Sequence, residues 1–217
     1  MNKKKYELTT DTRRYIGRNL YRIKALTSFG DVNAGDLGGY IESENNLSQE
    51  GNAWVYDDAW VFGDAKVFDN AWVYGNAKIS GNAKVYGAAW VCGDAKVFGD
   101  VEVYNSAKVF DNALVYGDAK VYGDAKVFGE AWVCDNAKIC DTADYICVQG
   151  LGSAYRNTTF FKCQNGDIGV VCGCFKGNIE KFTEEVKRTH GDSKYAKEYL
   201  AMVEVIKIHF KKENDDE

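Results

Sequence analysis

Small and hydrophobic residues recur every six positions along the middle of the chain. Residues 51–146 divide into sixteen contiguous blocks of six, beginning GNAWVY, DDAWVF and GDAKVF. The third position is Ala in fifteen blocks, with Val101 as the exception, and the fifth is Val or Ile in fifteen, with Tyr145 as the exception. A fixed internal period of this kind predicts a repeat architecture.

Each block is typical of a turn followed by a short strand. The first two positions are mostly Gly, Asp or Asn, which tolerate the left-handed backbone of tight turns. The next positions alternate between the two sides of a strand. The nearly constant Ala and Val therefore face a narrow interior, and the fourth and sixth positions face outward. The fourth position is Lys in eight blocks and Trp in five, and a lysine column is unstable in a dry core without partners.

The pattern resembles the hexapeptide repeat of left-handed parallel β-helices, through Val55, Asp58 and Ala59 and their equivalents in other blocks. The resemblance implies a mainly β fold, namely a single-stranded left-handed parallel β-helix shaped as a triangular prism. Each coil then takes three blocks, or 18 residues, and neighbouring coils lie about 4.8 Å apart. Sixteen blocks make a little over five coils.

A period of 18 sorts the fourth positions into three columns. The tryptophan column contains Trp54, Trp72, Trp90, Lys108 and Lys126, with Tyr56 and Tyr74 beside it. The mixed column contains Trp60, Lys78, Lys96, Leu114 and Trp132. The lysine column contains Lys66, Lys84, Glu102, Lys120 and Lys138. The three faces of the prism are therefore chemically unequal, and the first two columns are the predicted ligand-binding or interface residues.

The N-terminal segment, residues 1–50, is predicted to cap the prism. The stretch LYRIKAL at 20–26 is typical of a strand. Residues 32–48 are typical of an irregular first coil, which would cover the unpaired strand edges at the end of the prism. The segment also carries Arg13, Arg14, Arg18 and Arg22. Two interpretations stay open for these arginines, a solvated basic flank or an anion-binding patch.

After the repeat domain, assigned to residues 51–149, the composition changes. Residues 150–217 are predicted to form a small α+β module for capping or oligomerisation, packed on the last coil or on a partner chain. Asn165-Gly166 indicates a two-residue hairpin turn, followed by helices near 178–190 and 193–210. That hairpin pairing places six apolar residues on one face: Phe161, Cys163, Ile168, Val170, Cys172 and Cys174.

Composition narrows the cellular setting. The net charge is -5, so the chain does not favour long nucleic acids as partners. No hydrophobic run approaches the roughly 18 residues of a membrane span. The seven cysteines lack the dense spacing of a disulfide scaffold. We expect a soluble cytoplasmic protein with reduced thiols and no membrane contact.

The residues argue against the chemistry usual for this fold. Hexapeptide acyltransferases generally use a histidine near a subunit boundary, and the two histidines here, His190 and His209, lie outside the repeats. A zinc site is one interpretation of Cys163, Cys172, Cys174 and His190. The three thiols lie on the apolar face of the predicted hairpin, however, which favours cysteines that pack as small hydrophobic side chains. Stacked turn acids such as Asp100 and Asp118 allow a calcium site, although solvated corners are more common. We therefore predict no enzyme activity, no metal and no cofactor.

The order of the cap (GDLGGYIESENNLS), the repeats and the C-terminal module (DIGVVCGCFKGNIEKF) resembles uncharacterised phage and prophage proteins of low-GC Gram-positive bacteria. This resemblance implies an accessory factor that acts against host defence. The leading hypothesis is a non-enzymatic homodimer or homotrimer that sequesters a small nucleotide-like signal between subunits. A purely structural assembly protein is the alternative, and a divergent acyltransferase using His190 or His209 is a third.

Overall fold

The computed structural model describes residues 4–211 and consists of a parallel β-helix with additional strands at both ends. The chain begins with β1 (Tyr6–Tyr15), β2 (Arg18–Ala25) and β3 (Leu37–Ile41), followed by a 3-10 turn at Glu44–Asn46. Fifteen short strands then follow in chain order: β4 (Trp54–Val55), β5 (Trp60–Val61), β6 (Lys66–Val67), β7 (Trp72–Val73), β8 (Lys78–Ile79), β9 (Lys84–Val85), β10 (Trp90–Val91), β11 (Lys96–Gly99), β12 (Glu102–Val103), β13 (Lys108–Val109), β14 (Leu114–Gly117), β15 (Lys120–Val121), β16 (Lys126–Val127), β17 (Trp132–Val133) and β18 (Lys138–Ile139).

A second 3-10 turn at Thr142–Asp144 leads into the C-terminal module. Its elements are β19 (Tyr145–Leu151), β20 (Arg156–Lys162), β21 (Ile168–Cys172), β22 (Phe175–Asn178), α1 (Ile179–His190) and α2 (Lys194–Phe210). The domain boundary placed near residue 150 by composition falls inside β19.

Every third strand of the array joins the same parallel sheet. The three sheets have the orders β4-β7-β10-β13-β16, β6-β9-β12-β15-β18 and β1-β2-β3-β5-β8-β11-β14-β17. Residues 18 apart pair in register, as Trp72 does with Trp90. This confirms the three-sided prism and the 18-residue coil. Because β3 pairs with β5, the predicted irregular first coil is present as well, and the stack makes about six turns.

Alanine and the β-branched residues fill the interior of the prism as the pattern predicts. Every third- and fifth-position residue from Ala53 to Ile139 is at most 1% exposed. Backbone hydrogen bonds run between coils, for example from Trp72 N to Ala89 O at 3.0 Å. Most blocks begin with a glycine at positive φ, and Asp or Asn takes that conformation in the other blocks, as at Asp69 with φ 59°, except in the last block, where Asp141 has φ -134°.

The N-terminal cap is larger than the sequence indicated. The predicted strand at 20–26 is confirmed as β2, but it pairs with β1, which the pattern did not reveal. The Lys5 ammonium is 5% exposed and donates to Ala53 O at 3.0 Å and Glu50 O at 3.3 Å. Burial lowers the pKa of Lys5 to about 8. The cap thus covers the first coil and satisfies carbonyl groups at its end.

The C-terminal module has the predicted hairpin and helices but a different register. Phe160 pairs with Val170 and Phe161 with Gly169, so the connecting loop has five residues instead of two. This shift moves Phe161 to the opposite face from Val170, because side chains alternate along a strand. Phe161 packs against the prism core, whereas Phe160 and Val170 pack against the helices. The single apolar face predicted for Phe161, Cys163, Ile168, Val170, Cys172 and Cys174 is therefore wrong.

The two helices lie where the sequence places them. Asn178 caps α1 by accepting from Lys181 N at 3.1 Å, and Ser193 caps α2. The buried residues of α1 are Ile179, Phe182 and Val186. The buried residues of α2 are Ala196, Tyr199, Val203 and Ile206. Four strands, not two, form the sheet between these helices and the last coil.

Candidate binding surfaces

The tryptophan face is the outer surface of the sheet β4-β7-β10-β13-β16, with the tryptophan column and the sixth-position residues beside it. Its first member, Trp54, is only 1% exposed. The rings of Tyr6 and Phe29 lie 6.0 and 5.4 Å from the Trp54 ring. Trp54 lies on the outer surface of the sheet in register with Trp72, but the N-terminal cap covers it, so it is not accessible as a ligand-binding residue.

An aromatic cleft lies next to the cap on this face. Tyr56, Trp72, Tyr74 and Trp90 line it with the two carboxylates Asp31 and Asp57, and its volume is about 320 Å³. All four aromatic side chains are half-buried, so each keeps part of its ring accessible. The structure thus brings together four of the predicted site residues in one shallow concave surface.

The rings of the cleft are arranged as a ladder along the prism. The ring centroids of Trp72 and Trp90 are 5.7 Å apart and the planes differ by 8°. The Lys108 ammonium lies 4.0 Å from the ring centroid of Trp90. One face of Trp72 is therefore covered by Trp90, while Tyr56 lies tilted at 57° beside it. The column offers ring edges along its length and an incompletely covered ring face only near Tyr56.

The two ends of the tryptophan face differ in charge. Burial raises the pKa of Tyr56, and the carboxylates of Asp31, Asp36 and Asp57 raise it further. Burial and a hydrogen bond with Cys92 raise the pKa of Tyr74 to about 12. These phenols stay protonated near neutral pH, and the cap end of the face is acidic. The other end carries Lys108 and Lys126.

The mixed column is partly covered by the N-terminal hairpin. The Tyr15 ring lies 5.0 Å from Trp60, and the Lys78 ammonium lies 4.3 Å from the Trp60 ring. The buried indole N–H of Trp60 has no hydrogen-bond partner within residues 4–211. Farther along, Lys96 and Trp132 line a polar groove of about 630 Å³ with Asn76, Lys78, Asp94, Asn112, Leu114 and Glu130.

Three of the four N-terminal arginines are paired with acids of the same chain. Arg13 contacts Asp58 at 2.8 Å and Arg18 contacts Glu42 at 2.8 Å. Arg22 contacts Asp11 at 3.6 Å, whereas the ion pairs of the described residues do not include Arg14. Of the two interpretations of Arg13, Arg14, Arg18 and Arg22, these pairs favour the solvated basic flank, since Arg13 and Arg18 contact acids outside the hairpin and Arg22 contacts an acid within it.

The lysine face, the outer surface of β6-β9-β12-β15-β18, carries an aromatic ladder that the sequence analysis missed. Phe68, Tyr86, Tyr104 and Tyr122 stack with centroid distances of 4.9, 5.1 and 5.1 Å and plane angles of 4–5°. Glu102 contacts Lys84 at 3.4 Å and Lys120 at 3.6 Å. The same period of 18, applied to the sixth position of each block, would have predicted this ladder.

The C-terminal module separates Cys163 from the other residues of the candidate zinc site, whereas Cys172, Cys174 and His190 line one cavity. Cys172 belongs to the cluster packed against the helices, whereas Cys163 packs against the prism core. Within residues 4–211, no three or more His, Cys, Asp or Glu side chains are grouped as metal ligands. A ring nitrogen of His209 lies 2.8 Å from Ala143 O. His190 stacks on Tyr199 and lines a cavity of about 330 Å³ with Arg156 and Cys174.

The structure also bears on the expected reduced thiols and on membrane contact. All seven cysteines are free thiols. Among the described residues, no helix combines the length and apolar composition needed to cross a bilayer.

Comparison with known proteins shows similarity in the repeat array. A family model described as the YdcK β-solenoid repeat matches residues 77–93. A protein named uncharacterized acetyltransferase YdcK, from Escherichia coli (strain K12), is 53% identical over 38 residues. The matched stretch covers 18% of this chain and 12% of that protein. The similarity therefore supports a β-solenoid repeat and extends to a small part of either protein.

Proposed function

We propose that this β-solenoid is a non-enzymatic binding scaffold that takes up a small ring-bearing ligand at the aromatic cleft. The observation that carries the proposal is the accessible cluster of Tyr56, Trp72, Tyr74 and Trp90 on an otherwise regular prism. Ligand pockets are typically concave, mostly aromatic or apolar, and about 300 Å³ or larger. The cleft has these properties.

A nucleotide-like ligand fits the charge distribution along the tryptophan face. A base would contact Trp72 beside Tyr56, where the indole face is incompletely covered. Lys108 lies two strand positions farther along the same sheet, or about 10 Å at the usual strand spacing. Its ammonium would neutralise a phosphate group. An oligomer that sequesters such a signal would act as an anti-defence sponge, the role implied by the resemblance to phage proteins.

Isothermal titration calorimetry with a panel of linear and cyclic nucleotides tests this proposal. We expect binding by at least one nucleotide and a loss of about 5- to 150-fold in affinity for Trp72→Ala, because stacking on one aromatic ring contributes about 1–3 kcal/mol. Tyr104→Ala on the lysine face removes a comparable ring and should leave the affinity unchanged. An absence of binding by the whole panel, or equal affinity in the Trp72 variant, would contradict the proposal.

The similarity to a protein named an acetyltransferase favours a second candidate function. Here His190 would be the base, since it lines a cavity with Arg156 and Cys174. This candidate predicts that acetyl-CoA binds and that His190→Gln abolishes acetyl transfer without changing the melting temperature. Turnover that is unchanged by His190→Gln would argue against this assignment.

A further inference from the structure

We propose that the tryptophan face forms an isologous dimer in which two prisms lie side by side with their axes antiparallel. This inference adds the subunit arrangement to the proposed function. Its test uses no ligand, so either proposal can fail without the other. The occupant of the face is a second copy of this chain.

The charge distribution of the tryptophan face is self-complementary. Lys108 and Lys126 lie at one end, and the ion pairs of the described residues include neither. Asp31 and Asp36 lie near Tyr56 at the other end. Corner aspartates occur toward both ends, with Asp57 beside Tyr56 and Asp111 near Cys92 and Lys108, so they do not create the difference. The face therefore carries its two lysines at the far end and the additional carboxylates Asp31 and Asp36 at the cap end, although Glu130 also lies beside Phe128 at the far end.

The strand order of the tryptophan face determines which residues meet across a twofold axis. β10 is the middle strand of β4-β7-β10-β13-β16. A twofold axis along β10 places β13 opposite β7 and β16 opposite β4 of the partner. Lys108 then lies opposite the partner subunit's Trp72, toward the partner's cap end. Lys126 lies over the partner's cap, which carries Asp31. A parallel arrangement would instead place lysines against lysines and acids against acids.

The tryptophan face also has an apolar surface beside its charged residues. The sixth-position residues on this face are Tyr56, Tyr74, Cys92, Phe110 and Phe128. Phe128 is 42% exposed and stacks with Phe110 at 5.2 Å. The same twofold axis places Phe110 opposite the partner's Tyr74, and Phe128 opposite the partner's Tyr56. Exposed aromatic surface of this kind is typical of association sites.

The size of the face predicts a weak dimer. Five strands about 4.8 Å apart and a few residues wide bury on the order of 800 Å² in total, below the roughly 1,200 Å² of standard interfaces. We therefore expect a dissociation constant in the micromolar range. Reversal of a single charge in such an interface should change the affinity measurably. Because the ion pairs are near the surface, salt should weaken the dimer.

Sedimentation equilibrium of the full chain, with and without charge reversals, tests the arrangement. Asp31→Lys and Lys126→Asp each place like charges together across the twofold axis, so each variant alone should raise the dissociation constant at least about tenfold. An equimolar mixture should recover the dimer, because both cross-subunit pairs then have opposite charges. Lys138→Asp on the lysine face is the matched control and should dimerise as the unmodified chain does.

Circular dichroism confirms that each variant keeps the fold before its association is compared. The proposal is overturned if the unmodified chain stays monomeric up to about 500 µM, far above a micromolar dissociation constant. It is also overturned if either single reversal dimerises normally, if the folded variants do not associate on mixing, or if Lys138→Asp alone disrupts the dimer.

Discussion

Ala89→Leu is expected to destabilise the β-helix by about 2–3 kcal/mol, the upper part of the usual range for overpacking a well-filled core. Ala89 is 0% exposed and lies in one inward column between Ala71 and Ala107. Each added methyl group must displace side chains of the coil or separate neighbouring coils. Because every coil shares its hydrogen bonds with the next, a local separation weakens the ladder on both sides.

Ala88→Leu provides a matched control one residue away. Ala88 is exposed in the turn before β10, so the same substitution should change the stability by no more than about 0.5 kcal/mol. Thermal unfolding followed by circular dichroism compares the two midpoints. Similar midpoints for the Ala88 and Ala89 variants would show that the interior accommodates larger side chains and that the alanine column is not required by packing.

Removal of the Asp144 carboxylate should destabilise the junction between the last coil and the C-terminal module. Asp144 is 4% exposed and accepts from Cys140 N at 2.9 Å and Asp141 N at 3.0 Å. It also contacts the Lys162 ammonium of β20 at 2.7 Å. Asp144→Ala leaves two backbone donors unsatisfied and is expected to cost about 2–4 kcal/mol. Thermal unfolding should show the loss, and an unchanged midpoint would contradict this role.

The same carboxylate predicts an acid-sensitive junction. Burial alone would raise the pKa of Asp144, but hydrogen bonds from Lys162, Cys140 and Asp141 outweigh it and lower the pKa below the ordinary 3.8. As the pH falls, the Asp144 carboxylate is therefore protonated at a higher pH in the unfolded chain than in the folded chain. The stabilisation is complete above pH 4 or so and is lost as the pH falls through the lowered pKa.

Melting curves at pH 7 and pH 3 measure this loss. The unmodified chain and the exposed-site control Asp124→Asn should lose similar stability on acidification, whereas Asp144→Asn should start lower and lose less. An equal acid-induced loss in Asp144→Asn would place the sensitive carboxylate elsewhere.

The aromatic columns have a structural role that limits their function. Stacking between successive coils consumes most ring faces, as in the ladder of Phe68, Tyr86, Tyr104 and Tyr122. Such ladders stabilise the prism by about 0.5–1.5 kcal/mol for each ring pair. Where the ladder of this face is interrupted, as at Tyr56 beside Trp72, the surface becomes concave and partly open. The candidate ligand site is therefore located at an interruption of the repeat.

The repeat pattern predicts the site only in part. Trp72 and Trp90 could be assigned to one column from the period of 18 alone. Asp31 could not be assigned to the same cleft, because it lies in an irregular loop whose path depends on the pairing of β2 with β3. The acidic character of the cleft therefore became apparent only from the structure.

By itself, the sequence determined the prism. The alternating Ala and Val residues face a narrow interior, and the constant spacing of the blocks fixes the length of the coil. It also determined the two C-terminal helices through their capping residues and apolar spacing. The tertiary structure alone decided which outward residues are accessible, since the N-terminal cap buries Trp54 and pairs three arginines. It also decided the sheet register in the C-terminal module, where a one-residue shift redirects Phe161 toward the prism. Both decisions depend on contacts between segments far apart in the chain, and no local pattern records those contacts.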